Sequence, residues 1–359
     1  MKRGTTYKRK DGRYECRIPL GSTDGKRRYK SFYGSTAQEA KCKMLFSVQT
    51  QEQTSAPTMS IQELSSEWML TVQNRIKEST ASNYRMKLEK HILPALGDKN
   101  CNMITAKDIY SFINRKTSDG LSARYVADII VLLKSIYRYA SREYAIHNVL
   151  DGIVLPNKNN TEVRMLTHEQ KQILSAYLKR EHSLDSLGVA LSLYTGIRIG
   201  ELCALQWKDI DLTNAALTIR KTIQRIQVFG DKNKTKLVIT EPKSVNSLRT
   251  IPIPNHLIQM VKEYVDKPSA FVLSGCSRPV EPRTMQNRFK RIMHNANLPS
   301  INYHSLRHAF ATNALEIGFD IKTLSEILGH SSVEVTLNRY VHCSMERKRS
   351  CMNMLSWSA

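Results

Sequence analysis

Alternation of apolar and polar residues predicts a small β-sheet at the start of the chain. The run YECRIPL (14–20) alternates, which is typical of a strand with one buried face. Asp11-Gly12 precedes this run and favours a two-residue hairpin turn, and the stretch KRRYKSFYG further on predicts a third strand. With the helical pattern that follows, residues 1–52 predict a domain of three strands and one helix.

The next segment, residues 59–153, has apolar residues at helical spacing throughout. Its clearest positions are Ile61, Leu64, Trp68 and Val72, and, in a longer fourth helix, Val126, Ile130, Leu133, Tyr137 and Ala140. The polar, Pro-containing stretch QEQTSAPT (51–58) precedes this segment and reads as a linker. We therefore predict a helical bundle with Lys and Arg on its outer faces.

The last segment, residues 164–359, mixes the two periodicities. It begins with helices, continues with the strand-like runs LTIRKTIQRIQV and KLVITEPKSVNSLRTIPIP, and returns to helices. A second linker, LPNKNNTEV (155–163), separates it from the helical segment. The predicted fold class is a multidomain protein, mainly α with β, in which a mixed α/β domain follows the sheet-plus-helix domain and the helical bundle.

Charge indicates the class of partner. The chain has 54 Lys and Arg against 32 Asp and Glu, a net charge of +22, and residues 1–50 hold 13 basic and 4 acidic residues. Because the hydrophobic fraction of 41% is normal, this excess favours a polyanion, and nucleic acid in particular, as partner. Two alternatives stay open: a basic protein without such a partner and, for the sheet, a charged edge that prevents aggregation.

Cysteine usage and hydropathy indicate the compartment. The seven cysteines are scattered and form no Cys-x-x-Cys pair, which argues against a disulfide framework or a zinc ribbon and favours a reducing cytosol. No apolar run approaches the roughly 18 residues of a membrane span, and the N-terminus lacks the apolar stretch of a signal peptide. We expect a cytoplasmic protein without membrane association.

Several basic side chains occur in turns or at helix starts, where they could meet a phosphate. Arg198 follows a Thr-Gly turn, and Glu201, one helical turn on, either orients it or forms a plain surface ion pair. Lys243 lies in a turn between two predicted strands. His304 and Arg307, three residues apart in HSLRH, would share one face of a helix.

The stretch ILGHSSVEVTLNRY supplies two more candidates, His330 after a glycine and Tyr340 at the end of a helical pattern. Taken alone, Tyr340 is best explained as a core residue with an exposed hydroxyl. His304 and His308 have the spacing of a zinc pair, but no Glu lies between them and no third ligand is evident. We expect no metal.

Together these side chains suit the metal-free cleavage of a phosphodiester. Arginines neutralise charge on the non-bridging oxygens, a tyrosine attacks phosphorus and becomes covalently attached, and a lysine protonates the leaving oxygen. Only about one tyrosine in a thousand is ionised at pH 7, so a base or a cationic pocket must assist. No Walker-type motif is present, and we expect no nucleotide cofactor.

The stretches TGIRIGEL, PKSVNSLRTIPI, HSLRHAFAT and LGHSSVEVTLNRY resemble the tyrosine recombinases, the phage-integrase family. The resemblance implies a 3′-phosphotyrosine intermediate and a catalytic domain at 164–359. It assigns the catalytic roles to Arg198, Lys243, His304, Arg307, His330 and Tyr340. It also implies a core-binding domain at 59–153 and an arm-type DNA-binding domain at 1–52, as in integrases of prophages and conjugative transposons.

The same resemblance implies the partners. They are double-stranded DNA with core and arm-type sites, further copies of the chain in a tetramer on DNA, and a small excision factor, in a system that integrates and excises a mobile element. Two alternatives stay open: a type IB topoisomerase and a DNA-binding regulator that does not cleave. The tail after Tyr340 either docks on a neighbouring protomer or folds back on its own domain.

Overall fold

The computed structural model describes residues 5–23, 26–45, 58–157, 165–230, 234–241 and 247–330, with isolated positions beyond (332–334, 336, 349 and 353). The chain divides into two compact units, Met1–Asn160 and Thr161–Ala359. Each unit is described by itself. Among the helices of the described residues, none is long and apolar enough to cross a membrane.

The first unit begins with the predicted sheet. Strands β1 (Thr5–Lys8), β2 (Tyr14–Thr23) and β3 (Lys26–Gly34) are antiparallel in the order β1-β2-β3, and helical residues 37–45 (α1) follow. Cys16 and Ile18 of β2 pack on the α1 side. This confirms the predicted sheet of three strands followed by a helix.

The loop between β1 and β2 differs from the expected two-residue turn. The N–H of Arg9 donates to the Arg13 carbonyl (2.8 Å), and the N–H of Gly12 donates to the Arg9 carbonyl (3.1 Å). Three residues therefore lie inside the closing pair, and Gly12 has φ +83°, a left-handed backbone. A three-residue loop with glycine in this last position is a common hairpin connection. The expected length was wrong by one residue.

The helical part of the first unit also follows the apolar pattern. Its helices are α2 (Ile61–Val72), α3 (Glu78–Lys87), α4 (Leu93–Leu96), α5 (Ala106–Ser118) and α6 (Ala123–Tyr144), with a π-helical turn at Leu88–Ile92. Ser60 with Glu63 and Thr105 with Asp108 form capping boxes that begin α2 and α5. The apolar faces of these helices, including that of the long α6, form one buried core.

The second unit combines helices with short strands. Its helices are α7 (His168–Arg180), α8 (Leu184–Thr195), α9 (Ile199–Cys203), α10 (Asn255–Lys262), α11 (Pro282–Asn295), α12 (His304–Glu316) and α13 (Ile321–Leu328). Its strands are β4 (Ile210–Asp211), β5 (Ala216–Ile219), β6 (Thr222–Gln227), β7 (Thr235–Thr240) and β8 (Arg249–Pro252). A 3₁₀ turn spans Trp207–Asp209.

The strands of the second unit form two separate sheets. β5 pairs with β4 and β8, whereas β6 pairs with β7. The two strands on either side of Lys243, β7 and β8, therefore belong to different sheets and do not pair with each other. Helix α8 is buried along most of its length and α12 packs on it, with the hydroxyls of Ser192 and Tyr303 2.8 Å apart. These two central helices position the residues described next.

Candidate active site

Arg198 lies where α8 ends and α9 begins. Helix α8 stops at Gly196, which has φ +65°, and a Cβ there would lie 2.5 Å from the Phe310 ring, so the turn needs glycine. The chain is extended at Arg198 and becomes helical again at Ile199. This places the Arg198 side chain, 35% exposed, at the edge of the unit.

Glu201, in the first turn of α9, accepts two hydrogen bonds from Arg198. Its carboxylate accepts the Arg198 backbone N–H at 3.0 Å and the guanidinium at 2.7 Å. Of the two expectations for Glu201, the orienting contact is the one found, since the side chain is only 4% exposed and the pair is not a plain surface ion pair.

The same carboxylate is shared with a second arginine, Arg249, at the start of β8. The Arg249 guanidinium donates to both Glu201 oxygens, at 3.2 and 2.8 Å. Burial by itself would raise the pKa of Glu201, but the hydrogen bonds and charge of Arg249 and the charge of Arg198 outweigh it, and the pKa lies below its usual value. Glu201 is therefore a buried carboxylate between two cations.

The C-terminal end of α13 is a meeting point for three arginines. The bonds are Arg249 Nε to the Ile327 carbonyl (2.6 Å), Arg307 Nη2 to the Leu328 carbonyl (2.6 Å) and Arg198 Nη2 to the Gly329 carbonyl (2.9 Å). The last carbonyls of a helix have no partner within it and carry the negative end of the helix dipole. Three guanidinium groups on consecutive carbonyls satisfy these acceptors and fix the end of α13.

His330 follows directly on this fixed end. Gly329 has φ +62°, its N–H donates to the Glu326 carbonyl (3.0 Å), and the His330 N–H donates to the Ser325 carbonyl (3.1 Å). This pair of bonds is a Schellman motif, which needs a left-handed residue such as glycine. The buried His330 ring has its Nδ1 2.7 Å from the Thr336 hydroxyl.

His304 and Arg307 differ in burial although both lie in the first turn of α12. Arg307 is buried and also donates to the Gly196 carbonyl at 2.7 Å, whereas His304, the first residue of the helix, is exposed. Both residues lie in α12 three positions apart and so on one side of the helix, as expected, but only Arg307 is buried. The His304 and His308 rings stack edge to face with centroids 4.8 Å apart.

The structure thus brings three of the six predicted catalytic residues, Arg198, Arg307 and His330, to the end of α13. His304 lies at the start of α12, and Lys243 and Tyr340 lie outside the described residues. Within the described parts of the chain, no three His, Cys, Asp or Glu side chains lie close enough to hold a metal ion.

Arg249 was not among the predicted site residues. Its stretch, SLRTIPI, was recognised, but a single Arg at the start of a strand is normally exposed. Only the fold reveals that its side chain is 6% exposed and bonded to Glu201. An arginine that opens an otherwise apolar strand is the one sequence signal that could have found it.

Comparison with known proteins agrees with this arrangement. Residues 164–347, just over half of the chain, match the phage integrase family, and residues 60–117 match the N-terminal SAM-like domain of phage integrases. The chain belongs to the phage integrase family. It is a tyrosine recombinase, an enzyme of site-specific DNA recombination.

Two relatives of this family cover nearly the whole chain. A tyrosine recombinase XerC-like protein of Caldanaerobacter subterraneus is 28% identical, over 96% of this chain and 95% of that protein. The ICEBs1 integrase of Bacillus subtilis is 22% identical, over 97% and 98%. These recombinase and integrase relatives do not favour the two alternatives, a regulator without cleavage and a type IB topoisomerase.

Solved structures of the family share the fold. The Tn1549 transposon integrase, in complex with a circular intermediate DNA, has a TM-score of 0.69 at 22% identity and covers 83% of this chain and 100% of that chain. A lambda integrase dimer bound to a COC′ core site has a TM-score of 0.60 at 19% identity and covers 93% of each chain. This confirms the predicted tyrosine-recombinase fold.

Proposed function

We propose that this chain integrates and excises a mobile element by cutting and rejoining DNA through a 3′-phosphotyrosine. The observation that carries the proposal is the convergence of Arg198, Arg307 and the His330 turn on the end of α13. Two guanidinium groups and an imidazole held in one place suit the dianionic charge that develops at a phosphate under attack.

In the proposed reaction Tyr340 gives its phenolic proton to a base, and its oxygen attacks the scissile phosphorus. The new bond joins the tyrosine oxygen to phosphorus, the bond to the 5′ oxygen breaks, and Lys243 supplies the proton that this oxygen takes up. Arg198 and Arg307 bind the non-bridging oxygens, and His304 and His330 hold the phosphate from either side. Because the phosphotyrosine is itself a phosphodiester, a free 5′-hydroxyl of another strand can reverse the step and complete the exchange.

We assign DNA contacts to all three domains. Residues 1–52 would bind arm-type sites, and residues 59–153, together with the catalytic domain at 164–359, would bind core sites. For the first domain, the support is the sheet face opposite α1. On this face Arg9 and Arg17 are exposed and lie over the rings of Tyr33 and Tyr7, at 5.4 and 5.0 Å from their centroids. Basic and aromatic side chains on one open strand face suit a DNA groove.

We further propose that four copies of the chain act together on DNA, and that an excisionase sets the direction. Support for the assembly comes from structural neighbours, which include a lambda integrase tetramer bound to a Holliday junction. An element that leaves as well as enters a chromosome needs a signal that selects one direction, and a small excision factor would supply it. Because the DNA substrate is chromosomal, we place the protein in the bacterial cytoplasm, on the nucleoid when bound.

A suicide substrate tests the proposal. The full chain is incubated, without magnesium, with a nicked duplex that spans an end of the element encoding it. After cleavage the short strand with the free 5′-hydroxyl diffuses away, so that the covalent intermediate accumulates. We expect an SDS-stable protein–DNA adduct that is absent for Tyr340→Phe. Tyr177→Phe, which removes a tyrosine hydroxyl elsewhere in the second unit, should form the adduct as wild type does.

Each other outcome contradicts a defined part of the proposal. An adduct that survives Tyr340→Phe would mean that another residue is the nucleophile. The absence of any adduct, on DNA that the protein demonstrably binds, would refute covalent cleavage and support a regulator.

A further inference from the structure

Arg249 makes more contacts to the protein than an ordinary ion pair would need. Besides its two bonds to Glu201, its Nε donates to the Ile327 carbonyl at 2.6 Å and its Nη1 to the Ser247 carbonyl at 3.2 Å. All three of its guanidinium nitrogens thus donate to groups of the protein, which leaves Arg249 little to offer DNA. Its effect must pass through the groups that it holds.

Those groups belong to the two elements that carry proposed catalytic residues. Glu201 in α9 holds the backbone and guanidinium of Arg198. Ile327, at the end of α13, lies three residues before His330 in the chain, and the intervening Leu328 and Gly329 carbonyls accept from Arg307 and Arg198. One side chain from β8 therefore connects both halves of the site.

We propose that Arg249 is a positioning residue for strand cleavage, which sets Arg198 through Glu201 and the His330 turn through the Ile327 carbonyl. This rests on the proposed function, in which Arg198 and His330 bind the scissile phosphate. Without Arg249, Arg198 is the one cationic partner of Glu201 among the described residues. The Arg198 guanidinium can then move closer to Glu201 and away from the phosphate. The end of α13 loses one of the three cations that fix it.

A purely structural ion pair is the alternative, and buried pairs by themselves are weak evidence for stability. The chain offers a matched control. Asp185 is shared by Arg288 (2.7 Å) and Arg291 (3.0 Å) as Glu201 is shared by Arg198 and Arg249, and among the described residues none of these three side chains bonds to the end of α13. Arg288→Met removes one arginine from a shared carboxylate without touching the end of α13.

The first experiment separates cleavage from binding. Single-turnover cleavage of the nicked substrate and the Kd for the same duplex are measured for wild type, Arg249→Met, Arg249→Lys and Arg288→Met, below the unfolding temperature of each. We expect Arg249→Met to lower the cleavage rate about 100-fold, the size expected for a misplacement of about 1 Å in an active site, with little change in Kd. Arg249→Lys should be intermediate, because an ammonium keeps the charge without the fork.

The second experiment asks whether Arg249 acts through Arg198. A substrate with a methyl group in place of one non-bridging oxygen of the scissile phosphate carries no charge there. The need for a correctly placed arginine is then smaller, so the deficit of Arg249→Met relative to wild type should shrink, at least tenfold if charge neutralisation dominates. A structural defect would give the same deficit on both substrates.

The outcomes distinguish this inference from the proposed function. If wild type forms no Tyr340-dependent adduct, the proposed function fails, and the inference with it. If wild type cleaves and Arg249→Met cleaves equally fast, only the inference fails. An equal loss in Arg249→Met and Arg288→Met, or a deficit unchanged on the neutral substrate, would assign Arg249 to stability alone.

Discussion

Glu15 in the N-terminal sheet and Glu201 in the second unit each hold two arginines, in different surroundings. Glu15 of β2 accepts from Arg9 at 3.1 Å and from Arg17 at 2.7 Å. Glu201 of α9 accepts from Arg198 at 2.7 Å and from Arg249 at 2.8 Å. Both carboxylates are shielded from water by the groups around them.

The arginines around the two carboxylates differ in how far their side chains are exposed. Arg9 and Arg17 keep 39% and 43% of their side chains exposed, whereas Arg249 keeps 6%. Around Glu15 the further partners include the Tyr7 hydroxyl at 2.7 Å and the Tyr33 hydroxyl at 3.5 Å, side chains on an open strand face. Glu201 also accepts the Arg198 backbone N–H at 3.0 Å, and its two arginines donate in addition to the main-chain carbonyls of Gly329 and Ile327. In the sheet the paired arginines thus stay exposed, whereas in the second unit the paired arginines also hold the protein's own backbone.

Among the substitutions that test this comparison, Glu201→Gln should cause the largest loss of stability and cleavage. It leaves Arg249 buried beside a neutral amide, and loss of one partner of a buried pair costs about 3 to 5 kcal/mol. We therefore expect a lower unfolding midpoint for the second unit in urea, and single-turnover cleavage reduced at least 100-fold.

The control for Glu201→Gln is Asp185→Asn. Its partners Arg288 and Arg291 are 32% and 67% exposed, so the expected loss is about 1 kcal/mol or less. A Glu201→Gln enzyme that cleaves at the wild-type rate would contradict the anchoring role.

Glu15→Gln should instead change DNA discrimination. The substitution releases Arg9 and Arg17 from a fixed position but also removes a negative charge from the surface proposed to face DNA, which favours binding to any sequence. We expect affinity for a random duplex to stay equal or rise, and the ratio of arm-site to random affinity to fall about tenfold, the value of one well-placed base contact. Competition binding of the full chain, followed by fluorescence anisotropy, measures this ratio.

Glu39→Gln is the matched control, because it removes the same charge from the helix of the same domain, where Glu39 pairs with Lys43. It should leave the ratio unchanged. If both substitutions lower the ratio equally, the face around Glu15 does not read DNA sequence.

The elements of this fold were predictable where their signal is local. Period-two alternation predicts β2, and helical spacing predicts α2 and α6, because each pattern is set by burial of one face of a single element. Pairing between elements is not local. The run LTIRKTIQRIQV reads as continuous extended chain, yet it contains β5 and β6, which belong to different sheets. Likewise α9 ends at Cys203, so Leu205 and Trp207, which continue the apolar pattern of Leu202, are buried outside the helix.

The prediction of site residues from the sequence is limited in the same way. Arg198, Arg307 and His330 stand out because each lies in a recognisable stretch. Arg249 does not, because its burial depends on Glu201, 48 positions earlier, and on Ile327, 78 positions later. No local pattern encodes a side chain whose partners are both distant in the chain.

The salt dependence of binding should also separate the two pairs of arginines. Arg17→Ala removes an exposed cation, so the slope of log K against log salt concentration for arm-site DNA should fall in magnitude by about 1. Arg249→Met should leave the slope for core DNA unchanged, since its guanidinium is bonded inside the protein. Titrations from low to high potassium chloride give both slopes, and a changed slope for Arg249→Met would show that Arg249 meets phosphate directly.

The smallest effect expected is on the titration of Glu15. Hydrogen bonds from Arg17 and Ser31 lower its pKa from 4.5 to about 2. Because the native pKa is the lower one, this carboxylate stabilises the folded sheet above about pH 4.5, and its contribution is lost as the pH falls towards 2. Arg17→Ala removes the strongest of these bonds and should raise the pKa towards its usual value. The shift of the Glu15 carboxyl carbon, assigned by comparison with Glu15→Gln, follows the titration by NMR. A wild-type midpoint near 4.5 would mean that the contact between Arg17 and Glu15 does not persist in solution, in contrast to the buried Arg249 at Glu201.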